Sequence, residues 1–130
     1  MTGTETDKGR KKILVVDDSK TVLLMECMIL KSGHYQVITA SDGEEAVRKA
    51  AAESPDLILM DVVMPKITGF EACREIRKLK ATKSIPIIMV TTLGQAADVK
   101  TGFQSGCDDY VTKPIDSATL LSKIRDFLGE

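Results

Sequence analysis

Short apolar runs rich in β-branched residues alternate five times with segments of helical period, and this alternation restricts the fold more than any other feature of the chain. "KKILVV" (Lys11 to Val16) stops at Asp17-Asp18, and Ser19 to Ser32 then reads as a helix closed by Gly33. "YQVITA" (Tyr35 to Ala40) is a second strand. The alanine-rich helix "SDGEEAVRKAAAE" (Ser41 to Glu53) follows, with a start like a capping box and an end at Pro55. "DLILMD" (Asp56 to Asp61) is a third strand. Gly69 to Lys80 carries Phe70, Cys73 and Ile76 at helical spacing, "PIIMVT" (Pro86 to Thr91) is a fourth strand, and Gln95 to Ser105 is a weaker helix. A short strand around Tyr110 to Thr112 and a helix from Asp116 to Leu128 complete the series.

Strands joined by helices cross over to parallel neighbours, so the expected architecture is α/β: a doubly wound, five-stranded parallel sheet with five helices covering both faces. In such sheets ligands gather beyond the carboxyl ends of the strands, where the strand order reverses. The residues at those ends are Asp17 and Asp18, Asp61, Thr91 and Thr92, and Lys113.

Asp61 is the most demanding of them, because "LILMDVVMPKITG" places a carboxylate where the chain is still inside the protein. An unpaired buried carboxylate costs several kcal/mol or takes up a proton, unless cations or hydrogen-bond donors meet it. Three carboxylates brought together repel one another, and a divalent cation resolves the repulsion. An all-oxygen set without sulfur or imidazole suits Mg²⁺, which keeps waters and accepts phosphate oxygens. With the Lys113 ammonium and the Thr91 hydroxyl this makes a receptacle for a phosphoryl group. The glycines are scattered singly and no phosphate-binding glycine loop occurs, so a nucleotide is not expected. Taken singly, each residue has an ordinary reading: Asp17-Asp18 as helix N-caps, Thr91 as a strand residue, Lys113 as solvated surface. Their joint placement at four strand ends is what argues for a site.

At 130 residues the chain is one domain's worth. Its net charge of -1 gives no pull toward nucleic acid or an anionic membrane, and the only basic stretch is Gly9 to Lys12. No apolar run approaches the roughly 20 residues of a membrane span, and the polar start has no signal-peptide core, which makes the cytoplasm the expected location. Cys27, Cys73 and Cys107 are odd in number and widely spaced, so they read as reduced thiols. His34, the single histidine, reads as a loop residue.

"ILVVDDS", "LILMDVVMPKITG", "IIMVTT" and "DDYVTKPI" together resemble a response-regulator receiver domain of the single-domain, CheY-like type used in two-component signalling. The resemblance covers 12–130 and leaves 1–11 as a flexible tail. It implies a flavodoxin-like strand order 2-1-3-4-5, with Asp61 as phosphoacceptor. It also implies Mg²⁺ held by Asp17, Asp18, Asp61 and the main-chain carbonyl of Val63, with Thr91 and Lys113 on the phosphoryl group. Tyr110 matches the aromatic switch residue, although by itself it reads as core, and Lys113-Pro114 matches a cis peptide. The implied function is a signalling switch, not an enzyme: a phosphoryl group arrives from a histidine kinase or phosphotransfer domain and remodels the surface of the fourth helix, fifth strand and fifth helix for an output target. The alternative is a phosphorelay intermediate or phosphate sink.

Two further expectations concern particular positions. In the first helix, Val22, Met25 and Ile29 suffice for the core, so Leu23, Leu24, Cys27 and Met28 are surplus apolar surface that either docks the phosphodonor or packs a homodimer. Val63 and Leu93, each two residues beyond a site residue, offer no polar group to align a water, which implies a long-lived acyl phosphate. Other classes fit less well. A haloacid-dehalogenase phosphatase needs a second aspartate where Val63 stands, an FMN carrier would meet repulsion from Asp17-Asp18, and a pseudo-receiver lacks acidic or lysine positions that are all present here.

Overall fold

Successive side chains along each strand point to opposite faces of the sheet, and both faces are apolar. Leu14, Val16, Ile58, Met60, Ile87 and Met89 enter one layer, while Ile13, Val15, Leu57, Leu59, Ile88 and Val90 enter the other. That double burial is why the strands read as unbroken apolar runs.

The structure is a computed structural model that describes residues 9–130, so most of the tail expected over 1–11 lies outside the described residues. The elements are β1 (Lys12–Val16), α1 (Lys20–Ser32), β2 (Gln36–Ala40), α2 (Gly43–Glu53), β3 (Leu57–Met60), α3 (Gly69–Lys78), β4 (Ile87–Thr91), α4 (Ala96–Ser105), β5 (Asp109–Thr112) and α5 (Ser117–Leu128). The sheet is parallel throughout, in the order β2-β1-β3-β4-β5. Leu30 of α1 and Leu120 and Ile124 of α5 cover one face, and Ala46 and Ala50 of α2 with Ala72, Cys73 and Ile76 of α3 cover the other.

The helix ends follow local chemistry. Ser19 lies outside α1 as its N-cap, with Oγ accepting from Val22 N at 3.3 Å. The cap of α2 is Asp42, while Glu45 reaches back to accept from Ser41 N at 2.6 Å. Thr68 and Glu71 form a reciprocal capping box on α3, which ends at Lys78 because Leu79 is extended (φ -87°, ψ 128°). α4 has no side-chain cap at Gln95.

The expected core stripe of α1 is corrected by the structure. Met25 is 53% exposed; the sheet-facing residues are Leu23, Glu26, Ile29 and Leu30. Apolar residues occupy so much of this helix that more than one stripe has helical period, and packing on β1, β2 and α5 selects between them.

Candidate functional site

The parallel ladder runs one residue past the strands and delivers the site. Asp17 N donates to Ala40 O at 3.1 Å, Asp61 N to Val16 O at 2.9 Å, and Lys113 N to Thr91 O at 2.8 Å. Asp17, Asp61, Thr91 and Lys113 therefore leave from the ends of β1, β3, β4 and β5, which are consecutive in the sheet. The loop after Asp61 returns tightly to α3. Gly69 N donates to Val62 O at 2.8 Å, and a Cβ on Gly69 would lie 2.0 Å from the Asp61 carbonyl oxygen, so this approach requires glycine.

Asp17, Asp61 and Thr91 are buried and Asp18 is exposed. Lys113 Nζ lies 2.6 Å from Asp17 Oδ2 and 3.6 Å from Asp61 Oδ2. Asp17 Oδ1 accepts from Ser19 N at 2.9 Å, and Asp61 Oδ1 accepts from Val62 N at 2.8 Å. Burial and then the Asp17 charge push the Asp61 carboxyl above its ordinary range, while Lys113, the Val62 amide and the Thr91 hydroxyl pull it back. Burial lowers the Lys113 ammonium, but Asp17, Asp61 and Glu26 outweigh that and hold it above the ordinary lysine value.

One carboxylate oxygen each from Asp17, Asp18 and Asp61 lie within 4.8 Å of one another. An all-carboxylate set with one exposed member fits Mg²⁺, which binds through few protein oxygens and retains water. Val63 stands two residues on and is 58% exposed.

Tyr110 is half-buried against the α2–α3 layer, and its hydroxyl donates to Leu93 O at 2.7 Å. The ring lies so close to Gly102 that a Cβ there would meet it at 2.9 Å. Leu93 N donates to Thr91 Oγ1 at 3.3 Å, so one residue links Thr91 to Tyr110. Lys113-Pro114 is cis, as the resemblance implies. All three cysteines are free thiols, and His34 is exposed with φ 65°.

The first helix divides differently from the expectation. Leu24 and Met28 are 63% and 64% exposed and Met25 joins them, whereas Leu23 packs on the α5 side of the sheet and Cys27 is half-buried. Sequence reasoning passed over Glu26 entirely. It is 2% exposed and feels Asp17, Asp61 and Lys113. A glutamate in the middle of "VLLMECMIL" was the available signal, since charged residues are almost never fully buried unless paired.

A doubly wound parallel sheet that gathers carboxylates, a hydroxyl and a lysine at its strand ends defines an α/β domain with an acidic cluster held beside one cation. Residues 13–125 match the response regulator receiver domain, and the chain belongs to that family. Protein PilH of Pseudomonas aeruginosa is 45% identical over 119 residues, which cover 91% of this chain and 98% of PilH. The alkaline phosphatase synthesis transcriptional regulatory protein PhoP of Bacillus subtilis is 42% identical over 91% of this chain but only 48% of its own length. The chain thus spans about half the length of several curated relatives. Among solved structures, Vibrio cholerae chemotaxis protein CheY4 matches with a TM-score of 0.87 at 36% identity, covering 92% of this chain and all of that one (100%). The receiver domain of sensor histidine kinase PA1611 from P. aeruginosa, which holds a magnesium ion in its active-site cleft, matches with a TM-score of 0.88 at 33% identity, covering 94% and 100%. The chain is therefore a receiver domain of two-component signalling. Among the described residues no helix is long and apolar enough to cross a membrane.

Proposed function

We propose that the receiver unit over 12–130 accepts a phosphoryl group on Asp61 from a phosphohistidine of a kinase or phosphotransfer domain. The observation that carries this reading is the Lys113 ammonium, 2.6 Å from Asp17 and 3.6 Å from Asp61 at adjoining strand ends. An Asp61 carboxylate oxygen attacks phosphorus in line; the P–N bond breaks and its electron pair stays on the imidazole nitrogen. Lys113 neutralises charge on the equatorial oxygens, and the Thr91 hydroxyl donates to one of them. Asp17, Asp18, Asp61 and the Val63 carbonyl would hold Mg²⁺, which when bound supplies charge neutralisation and a fixed position for a phosphate oxygen.

Phosphorylation replaces the single charge of the Asp61 carboxylate with the roughly two of an acyl phosphate and carries them outward on acceptor oxygens, which favours the arrangement in which Thr91 hydrogen-bonds the phosphoryl group. The Thr91–Leu93–Tyr110 hydrogen-bond chain supports a readout at α4, β5 and α5, where an output target would dock. The exposed Leu24, Met25 and Met28 support donor docking on α1 beside the acidic site; replacing Leu24 and Met28 with polar residues slows transfer from the cognate kinase if so. Incubation with acetyl phosphate and Mg²⁺ tests the acceptor: wild type gains a phosphoryl group and Asp61→Ala does not. Equal labelling of both overturns the assignment.

A further inference from the structure

The solvent face of α3 carries its charges in an order that fits itself. Phe70, Glu71, Arg74, Glu75 and Lys78 fall on one side of the helix at spacings of three and four. Phe70 is half-buried and the other four are exposed, while Ala72, Cys73 and Ile76 on the opposite side are buried in the core. Turning the helix end over end, about a point midway between Arg74 and Glu75, exchanges the places of Glu71 and Lys78, of Arg74 and Glu75, and of Phe70 and Leu79. Each exchange matches opposite charges or two apolar groups.

Two copies of a chain related by a two-fold axis meet through the same patch, so each residue faces its exchange partner. An axis perpendicular to α3 therefore sets Glu71 against Lys78 and Arg74 against Glu75 of the other copy, each pair occurring twice. A parallel arrangement sets like against like. Within one chain these charges are little used. Lys78 Nζ lies 3.5 Å from Glu75 Oε2 with both side chains more than half exposed, and Glu71 accepts from Thr68 N at 2.9 Å as part of the cap. Arg74 makes no ion pair among the described residues.

Charge alone gives a weak contact, because exposed ion pairs contribute little singly. An apolar floor lies beside it. Leu79 is 41% exposed at the end of α3, and a groove of about 570 Å³ between α2 and α3 has Val47, Ile67 and Leu79 as its apolar lining. The methylene stems of arginine and lysine from another copy can lie on such a floor while their charges stay in water. The exposed face of α1 has no such order. Thr21, Leu24, Met25 and Met28 lie between Lys20 and Lys31 with no exposed acid, so two copies of that face bring lysine against lysine.

We propose that α3, with the α2–α3 groove beside it, is a surface through which two copies of the chain associate about a two-fold axis. It lies on the face of the sheet opposite α1 and α5, so the association leaves the α1 patch uncovered.

Sedimentation equilibrium of the full chain tests this. Wild type is expected to shift from monomer toward dimer as concentration rises at low ionic strength, and to return to monomer in about 0.5 M NaCl, where surface charges are screened. Arg74→Glu and Glu75→Lys each set like charges together and weaken the association about tenfold or more. Mixed in equal amounts the two variants recover it, because position 74 of either one then faces an opposite charge at position 75 of the other. Ion pairs within a single helix cannot produce that recovery. A wild type that is monomeric at every concentration overturns the proposal. So do variants that associate like wild type, which place the dimer on another face, and a mixture that stays monomeric. Concentration-dependent amide shifts of the wild-type chain give the answer without any variant: they fall on α3 and the groove if the proposal holds, and shifts confined to α1 or to α4 and α5 overturn it.

Discussion

Lys113 and Asp17, separated by 96 positions in sequence, meet at 2.6 Å with side chains 16% and 2% exposed. Lys113 also lowers the Asp61 carboxyl, so one cation compensates two carboxylates. Removing one partner of a buried pair leaves an uncompensated charge and costs more than the pair itself contributes. Lys113→Met is expected to lose about 2–4 kcal/mol of stability in metal-free buffer and to recover part of it in Mg²⁺, because the cation takes over the compensation. Urea unfolding with and without Mg²⁺ reads this directly; an equal loss in both conditions contradicts it.

Glu26 makes stability depend on pH with a definite sign. In the folded chain it keeps its proton up to about pH 8, whereas the unfolded chain releases it near 4.5. The folded state holds more protons between those values, so stability falls as pH rises through that window, by up to about 1.4 kcal/mol per unit from this group. The penalty is absent below 4.5 and complete above 8. Glu26→Leu should therefore exceed wild type by a few kcal/mol at about pH 8 and by much less at about pH 5. Metal-free urea midpoints at the two pH values check this, and a gap that does not change with pH counts against it.

The strand ends were legible because charge interrupts apolar runs there: Asp17, Asp61 and Lys113 each stand just past β-branched or aliphatic residues. Period alone could not orient α1. "VLLMECMIL" supports several apolar stripes, and the one that turns Met25 inward leaves Glu26 out, whereas packing exposes Met25 and buries Glu26. Nor could scattered glycines reveal which one abuts the site. Only the fold brings Gly69 against the Asp61 carbonyl, and nothing local marks Lys66 as the residue that takes φ 73° after Pro65.

The Tyr110 hydroxyl holds the β4–α4 loop through Leu93 O at 2.7 Å. Tyr110→Phe keeps the ring but removes the donor, leaving a half-buried carbonyl to find water. The expected cost is about 1 kcal/mol, with faster amide exchange around Leu93 and in α4. Thermal unfolding and hydrogen exchange measure both effects; unchanged exchange in that loop means the bond does not restrain it.

Arg77 reaches three acceptors on two separate segments with one guanidinium. Nε donates to Gly106 O at 2.9 Å, Nη1 to Ile85 O at 2.7 Å, and Nη2 to Asp108 Oδ2 at 2.8 Å. The same Asp108 oxygen accepts from Ile87 N at 2.8 Å, which ties the end of α3, the entry to β4 and the turn between α4 and β5 into one unit. A lysine there offers a point charge without the planar fork and cannot satisfy all three acceptors. Arg77→Lys is expected to cost about 1–3 kcal/mol, to raise exchange at Gly106 and Cys107, and to leave acetyl phosphate labelling of Asp61 unchanged, since the clamp lies at the opposite end of the strands from the carboxylates. Denaturation midpoints and labelling measured on the same preparation test both halves. A loss of labelling without loss of stability means that the clamp instead communicates with the site.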